Sequence, residues 1–148
     1  WNRVNVYRET GSREEAKKRL FSWLYNPGSK DQMANKFYDR NSLVKKHWNG
    51  THVSTPYGRH IEVDKRKALN YLIQSTTSDM VLEQCTKLDQ FLEPYKSRIA
   101  FIVHDEVVLD MDKEESHLIP RMKEVFSDTR FGTYMVGSKE GSNYGIAA

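Results

Sequence analysis

Two adjacent carboxylates, Asp105 and Glu106, follow His104 between two short runs of apolar residues. These runs are rich in β-branched and aromatic residues, which predicts two strands that meet at this acidic tripeptide. Neighbouring ionised carboxylates repel each other, and Mg²⁺ is a natural partner because it takes one or two carboxylates together with phosphate oxygens and water. Considered alone, the tripeptide is explained better by a hairpin turn with solvated charges. The magnesium hypothesis therefore depends on the rest of the chain.

A second candidate group consists of Arg13, Lys17, Phe21 and Tyr25, which are spaced four residues apart. This spacing places them along one helix face, the cation-ring face, with cations at its amino-terminal end and rings at its carboxyl-terminal end. Two cations beside the positive end of the helix dipole can hold a triphosphate, and two rings can stack on a sugar and a base. Spacing alone favours a simpler interpretation, a solvated basic face with two aromatic residues in the core.

The same spacing recurs in Arg66, Asn70 and Gln74, which we name the amide face. Arginine binds phosphate or ribose oxygens, and the amides of Asn and Gln carry both donors and acceptors for base edges in a nucleic-acid groove. Taken in isolation, polar residues at helical spacing are explained better as the wet face of a helix.

The elements that would position these groups follow from hydrophobic periodicity and from capping and turn residues. Ser12 can cap a first helix, which Asn26, Pro27 and Gly28 then end. The remaining pattern predicts helices at 30–48, 65–92 (with a candidate break at 74–78) and 113–126, a hairpin at 51–63 with its turn at Pro56-Tyr57-Gly58, and strands around 98–112 and 134–137. Helices alternating with hairpins indicate an α+β fold, in which an antiparallel sheet is covered by helices on one face.

Composition limits the classes of protein that fit. The 148 residues indicate one domain or a piece of a larger one, and 23 Lys and Arg against 20 Asp and Glu permit a polyanionic partner without implying one. Cys85 is the only cysteine, which excludes an intrachain disulfide and fits a reducing compartment such as the cytoplasm. No stretch is apolar enough to cross a membrane, so no membrane partner is expected. Because the sequence opens at Trp1 rather than at a Met, we expect a piece of a longer chain.

Taken together and in this order, the three candidate groups resemble the motifs of family A DNA polymerases. The cation-ring face is similar to their fingers-helix motif, the amide face to their palm helix, and the acidic tripeptide to their last palm motif. Thr55-Pro-Tyr-Gly58-Arg59 resembles the family's Gly-Arg hairpin, and the stretch after Gly137 resembles its carboxyl-terminal pattern. The resemblance spans nearly the whole chain. It implies a fingers-like helical region at 1–50 and a palm-like region at 51–148, with the acidic tripeptide on a hairpin of an antiparallel palm sheet.

The resemblance implies DNA-directed DNA synthesis, in which a nucleotide is transferred to a primer 3′-hydroxyl by two-metal catalysis. Arg13 and Lys17 would bind the phosphates of the incoming deoxynucleoside triphosphate. Phe21 would pack on its sugar, where the absence of a phenolic hydroxyl is expected to disfavour dideoxynucleotides. Tyr25 would lie at the insertion position and stack with the template base when the fingers are open.

For the remaining residues the resemblance implies contacts with metal and with DNA. Asp105 and Glu106 would be catalytic residues and ligands of two Mg²⁺ ions, with His104 near the primer end. The amide face would follow the minor groove of the primer-template DNA, where correct base pairs share the same acceptors. Arg59 would contact the DNA from its hairpin.

Two departures from the family pattern matter for function. Asn26 and Pro27 stand where the family usually has Gly after the fingers Tyr, so we expect a stiffer hinge there. The family's other palm aspartate has no counterpart in residues 1–12, although two metals about 3.5–4 Å apart need carboxylates from two strands. We therefore expect a carboxyl-terminal part that is inactive alone and is completed by the rest of the polymerase chain. The overall character favours a bacteriophage enzyme, acting in the host cytoplasm.

Two other functions stay open at this point. One is a non-catalytic nucleic-acid-binding fragment or subunit that works only with a separate N-terminal part. The other is a metal-dependent phosphohydrolase built on Asp105 and Glu106, which would release phosphate without any added part.

Overall fold

The computed structural model describes residues 12–147, and the chain divides into two compact units between Thr76 and Thr77. Among the described residues, no helix is both long and apolar enough to span a lipid bilayer. The fingers-like region predicted at 1–50 and the palm-like region predicted at 51–148 are defined by function, not by compactness. The boundary between the two compact units does not test them, so they stay predictions.

The first unit holds three helices, a hairpin and the beginning of a long helix, in the order α1 (Arg13–Tyr25), α2 (Gln32–Phe37), α3 (Arg40–His47), β1 (His52–Ser54), β2 (His60–Glu62) and α4 (Lys65–Leu92). α1 begins as predicted, because the hydroxyl of Ser12 accepts the backbone N–H of Glu15 at 3.2 Å. Leu20 and Trp23 of this helix are buried. α1 therefore packs by an apolar stripe that includes these two residues.

The helix predicted at 30–48 is wrong in one respect, because the structure has two helices there, α2 and α3, separated by Tyr38 and Asp39. The carboxylate of Asp39 accepts a hydrogen bond from the Ser42 hydroxyl at 2.6 Å and another from the Ser42 backbone N–H at 3.0 Å. Both hydrogen bonds lower the pKa of Asp39 from its ordinary value. Asp39 thereby caps a new helix in the middle of the predicted one.

Polar contacts hold α1 against α2 and α3. Arg19 forms an ion pair with Asp31, the capping residue of α2, at 2.5 Å. The guanidinium of Arg40, at the start of α3, donates to the backbone carbonyls of Trp23 and Leu24 and stacks on the Trp23 ring at 4.6 Å. Partial burial lowers the pKa of Arg40. These bonds satisfy carbonyls that the end of α1 leaves without helical partners.

β1 and β2 form the predicted antiparallel hairpin. Its turn contains Gly58 with a φ of 80°, a left-handed conformation that glycine adopts without strain. Thr55 is buried, and its hydroxyl accepts the backbone N–H of Arg59 at 3.2 Å. The turn therefore fixes the backbone at Arg59.

α4 is continuous from Lys65 to Leu92, which corrects the break considered at 74–78. Ser and Thr lower helix propensity in that stretch, but it contains no Gly or Pro that would interrupt the backbone hydrogen bonds. Early residues such as Leu69 belong to the core of the first unit, and late residues such as Leu88 belong to that of the second.

After α4 the second unit continues through β3 (Arg98–Val103), β4 (Glu106–Asp110), a 3₁₀ helix (Lys113–Leu118), α5 (Ile119–Ser127), β5 (Asp128–Thr129), β6 (Gly132–Thr133) and α6 (Tyr144–Ala147). Its core forms where Leu88 and Leu92 of α4 pack with Leu118 and Met122. Partly buried apolar side chains of β3 and β4 pack against this cluster. The helices therefore support the hairpin that carries the acidic tripeptide.

Two expectations for the second unit need correction. The helix predicted at 113–126 is a 3₁₀ helix capped by Asp112 and followed by α5, which has Pro120 in its first turn. The strand predicted at 134–137 is wrong, because the pairing in this region is between β5 and β6. Gly132, with a φ of 112°, lets the chain reverse before Tyr134, so the ribbon is formed by earlier residues.

The described residues confirm an α+β fold of helices and antiparallel strands. They do not form the single sheet that was expected, because their strands pair as three separate two-stranded sheets, β1–β2, β3–β4 and β5–β6. A two-stranded ribbon has little stability of its own. Packing against helices is therefore what stabilises the β3–β4 hairpin.

Candidate functional site

Three residues of the cation-ring face, Lys17, Phe21 and Tyr25, lie on the exposed side of α1. The Lys17 ammonium is 5.6 Å from the centre of the Phe21 ring, and the centres of the Phe21 and Tyr25 rings are 6.2 Å apart. Phe21 is 43% exposed and Tyr25 is 58% exposed. The interpretation that both rings belong to the core is therefore wrong, and both are accessible to a ligand. The side chain of Arg13 lies outside the described residues.

A hydrogen bond joins the cation-ring face to the amide face. The side-chain nitrogen of Gln74 in α4 donates to the hydroxyl of Tyr25 at 3.1 Å and to the side-chain oxygen of Asn70 at 3.2 Å. Within the first unit the structure therefore brings together Tyr25, Asn70 and Gln74, which the sequence placed in two separate motifs. The sequence gives no signal for this contact.

The two arginines assigned to DNA lie on different elements of the first unit. Arg66 is in the first turn of α4, where its backbone N–H donates to the carboxylate of Asp64 at 2.9 Å. Its guanidinium is exposed and has no hydrogen-bond or ion-pair partner among residues 12–147. Arg59 is also exposed and follows the turn of the β1–β2 hairpin.

The acidic tripeptide lies at the tip of the β3–β4 hairpin. Val103 pairs with Glu106, so His104 and Asp105 form the two-residue turn between the strands. His104 has a φ of 54°, and tight two-residue hairpins need such a left-handed residue at the first turn position. The side chains of all three residues are exposed. They are therefore presented to solvent at a point that hydrogen bonds of the hairpin hold in place.

Asp105 and Glu106 supply carboxylate oxygens, the donors that a hard divalent cation such as Mg²⁺ prefers. Neither carboxylate has a hydrogen-bond or ion-pair partner in the part of the chain that the structure describes, so both are open to an external ligand. The described residues contain no group of three or more side chains that is able to hold a metal ion. By itself, the acidic tripeptide therefore fits only part of a magnesium site.

Glu115 fastens the base of the β3–β4 hairpin, a role that sequence reasoning missed. Its carboxylate accepts the backbone N–H groups of Lys96 and Ser97, at 2.9 and 2.8 Å, and the Ser97 hydroxyl at 2.6 Å. The Ser97 oxygen accepts the backbone N–H of Asp112, just beyond β4, at 3.0 Å. These hydrogen bonds, above all the one from the Lys96 backbone, lower the pKa of Glu115 from 4.5 to about 2. One carboxylate thus holds the chain on both sides of the hairpin.

Glu115→Gln should destabilise the fold in a pH-dependent way. Because the folded-state pKa is lowered, the ionised carboxylate stabilises the fold fully above its ordinary pKa of 4.5, and this stabilisation is lost as the pH falls toward about 2. The difference in free energy of unfolding between wild type and variant should therefore be largest near neutral pH and shrink in acid. Urea unfolding at a series of pH values measures this difference.

The matched control for this prediction is Glu114→Gln. The Glu114 carboxylate is exposed and lies 3.7 Å from the Lys96 ammonium, a contact that contributes little at a surface. An equal pH-dependent loss in both variants would contradict the role given to Glu115.

Gln84 is a second residue whose role the sequence reasoning missed. It is buried, and its side-chain nitrogen lies 2.8–3.0 Å from the backbone carbonyl oxygens of residues 125, 126 and 128. These carbonyls are at the end of α5, so an amide of α4 satisfies groups that lack helical partners. The sequence feature that could have identified Gln84 is its helical spacing with Val81 and Leu88, which are buried on the same face of α4.

Comparison with known proteins yields a structural similarity. No family model and no curated protein matches this chain. Among solved structures, the fold is similar to that of the POL domain of Pol1 from M. smegmatis, solved in complex with DNA primer-template and dNTP. The TM-score is 0.61 at 18% sequence identity, and the match covers 78% of this chain and 27% of that chain. The described chain therefore has the fold of part of a DNA polymerase domain.

Proposed function

We propose that this chain is the carboxyl-terminal fingers-and-palm part of a family A DNA polymerase. The observation that carries the proposal is the fold shared with a POL domain that was solved with primer-template DNA and dNTP. The exposed side chains of Lys17, Phe21 and Tyr25 on α1 and the acidic tripeptide at a hairpin tip support it further, because they present to solvent chemical groups that nucleotidyl transfer requires.

On this proposal, the cation-ring face binds the incoming deoxynucleoside triphosphate. Arg13 and Lys17 bind its phosphates, since cations near the amino-terminal end of a helix add to the field of the helix dipole. Phe21 packs on the sugar, and Tyr25 stacks with the template base at the insertion position. The exposure of both rings supports these roles, because stacking on a ligand needs an accessible ring face.

The amide face binds primer-template DNA. Arg66 binds phosphate or ribose oxygens, while Asn70 and Gln74 donate to the acceptors of the minor groove. Those acceptors are common to all correct base pairs, so this contact checks pairing rather than reading sequence. Arg59 adds a cationic contact from the β1–β2 hairpin.

The reaction is attack of the primer 3′-hydroxyl on the α-phosphate, with release of pyrophosphate. Asp105 and Glu106 would hold Mg²⁺, which when bound would lower the pKa of the attacking hydroxyl and stabilise charge on the leaving oxygens. His104 lies next to them in the turn, near the primer end. The rest of the polymerase chain supplies the other palm aspartate, so the chain alone is inactive.

A second candidate function is nucleic-acid binding without catalysis. The observation that favours it is the lack of a complete group of metal ligands among the described residues. The two candidates differ in one result, which is whether the chain joined to an upstream part bearing the second aspartate extends a primer.

Binding of a labelled primer-template by this chain, followed by fluorescence anisotropy, tests the proposal without requiring catalysis. We expect the dissociation constant to rise steeply with salt, because phosphate contacts release counterions. Arg66→Gln should weaken binding about tenfold, the loss expected for one charge-assisted hydrogen bond. It should also lower the slope against the logarithm of salt concentration by about one.

Arg121→Gln is the matched control, because Arg121 is an exposed arginine of α5 that pairs with Glu124 at 2.6 Å. This substitution should leave the dissociation constant unchanged. Failure of the wild-type chain to bind, or an equal loss in both variants, would contradict the assignment of the amide face to DNA.

A further inference from the structure

The side-chain N–H groups of Gln74, which it would need in order to bind a DNA groove, already form hydrogen bonds within the protein. The amide nitrogen of Gln74 carries two hydrogens. One points to the Tyr25 hydroxyl at 3.1 Å and the other to the side-chain oxygen of Asn70 at 3.2 Å. In the free chain, both donors of Gln74 are therefore engaged within the protein.

The minor groove presents acceptors at every base pair, namely purine N3 and pyrimidine O2. Gln74 binds such an acceptor only by donating an N–H, since its carbonyl oxygen is an acceptor itself. One of its two present hydrogen bonds must break when it binds DNA. The bond to Asn70 lies within α4, whereas the bond to Tyr25 joins α4 to α1.

We propose that the Tyr25–Gln74 hydrogen bond acts as a lock that primer-template binding opens. This inference rests on the proposed function, because it takes Gln74 to bind the minor groove. In the free chain the lock holds the Tyr25 hydroxyl at α4. When a paired primer terminus engages Gln74, the Tyr25 ring is released for stacking at the insertion position.

The lock links the amide face to the fidelity of base pairing at the primer end. A mispair displaces the groove acceptors from the positions that all correct pairs share. Gln74 then keeps its bond to Tyr25, and the ring stays at α4. Release of the ring therefore depends on correct pairing at the primer end.

Tyr25→Phe tests the lock, because it removes the hydroxyl and keeps the ring. We expect the dissociation constant of the chain for a matched primer-template to fall about two- to tenfold, the effect of removing one competing neutral hydrogen bond. Tyr71→Phe, at another exposed tyrosine of the first unit, should leave it unchanged. In a Gln74→Leu chain, Tyr25→Phe should have no further effect, because the lock is already absent.

The outcomes separate the lock from the proposed function. If the wild-type chain binds DNA and Tyr25→Phe binds no more tightly, the lock is overturned and the proposed function stands. Tightening that persists in the Gln74→Leu chain also overturns the lock, because the effect then belongs to the ring. If the wild-type chain does not bind primer-template DNA, the proposed function and the lock fall together.

Discussion

Asp105→Asn should reduce the rate of primer extension by the complete polymerase about a thousandfold or more, with little change in primer-template affinity. Asparagine has nearly the same size as aspartate but lacks the charge that holds a divalent cation. The Asp105 side chain is exposed at the hairpin tip, so the substitution leaves the packing of the hairpin intact. Single-turnover extension of a labelled primer measures the rate, and anisotropy measures the affinity.

Asp110→Asn provides the matched control for this prediction. Asp110 is an exposed aspartate at the other end of β4, where it pairs with Arg98 in the strand register. Its substitution should leave the extension rate within about twofold of wild type, as is usual for surface positions outside a site. Extension by Asp105→Asn at the wild-type rate would contradict the role of Asp105 as a metal ligand.

Lys17→Ala should lower kcat/KM for the incoming deoxynucleotide about ten- to a hundredfold, the range expected for loss of a charged hydrogen bond to phosphate. The described contact of the Lys17 ammonium is with the exposed Phe21 ring at 5.6 Å. Its loss should therefore leave the fold and the primer-template dissociation constant unchanged. Extension rates over a series of nucleotide concentrations measure the effect.

Two further variants serve as controls for the Lys17→Ala prediction. Lys18→Ala removes an exposed charge from the next position of α1, and it should leave nucleotide use unchanged. Lys17→Arg keeps the charge and should retain part of the activity. A loss that is confined to DNA affinity in Lys17→Ala would count against the phosphate role.

Elements with strong local signals were predictable from the sequence. Ser12 caps α1 as its residue type indicates, and the turn at Gly58 follows from the need for a left-handed residue. Local signals also failed in places. The Asp39 cap divides into two the single helix that was predicted at 30–48.

The contacts that position the candidate site were not predictable, because they join residues far apart in the sequence. Gln74 and Tyr25 are 49 residues apart, and Gln84 reaches carbonyls more than 40 residues away. A polar side chain at helical spacing has the same pattern whether it meets solvent or a distant backbone group. For the same reason, spacing does not distinguish the exposed rings of Phe21 and Tyr25 from core residues.

We propose one division of roles, in which the cation-ring face binds the incoming nucleotide, the amide face binds the primer-template DNA, and the acidic tripeptide binds the metal. The structure of the complete polymerase with primer-template, deoxynucleotide and Mg²⁺ tests it most directly. We predict the triphosphate at Lys17, the minor groove at Asn70 and Gln74, and the Asp105 carboxylate on the metal. A triphosphate bound away from Lys17, with Asp105 facing solvent, would contradict the claim.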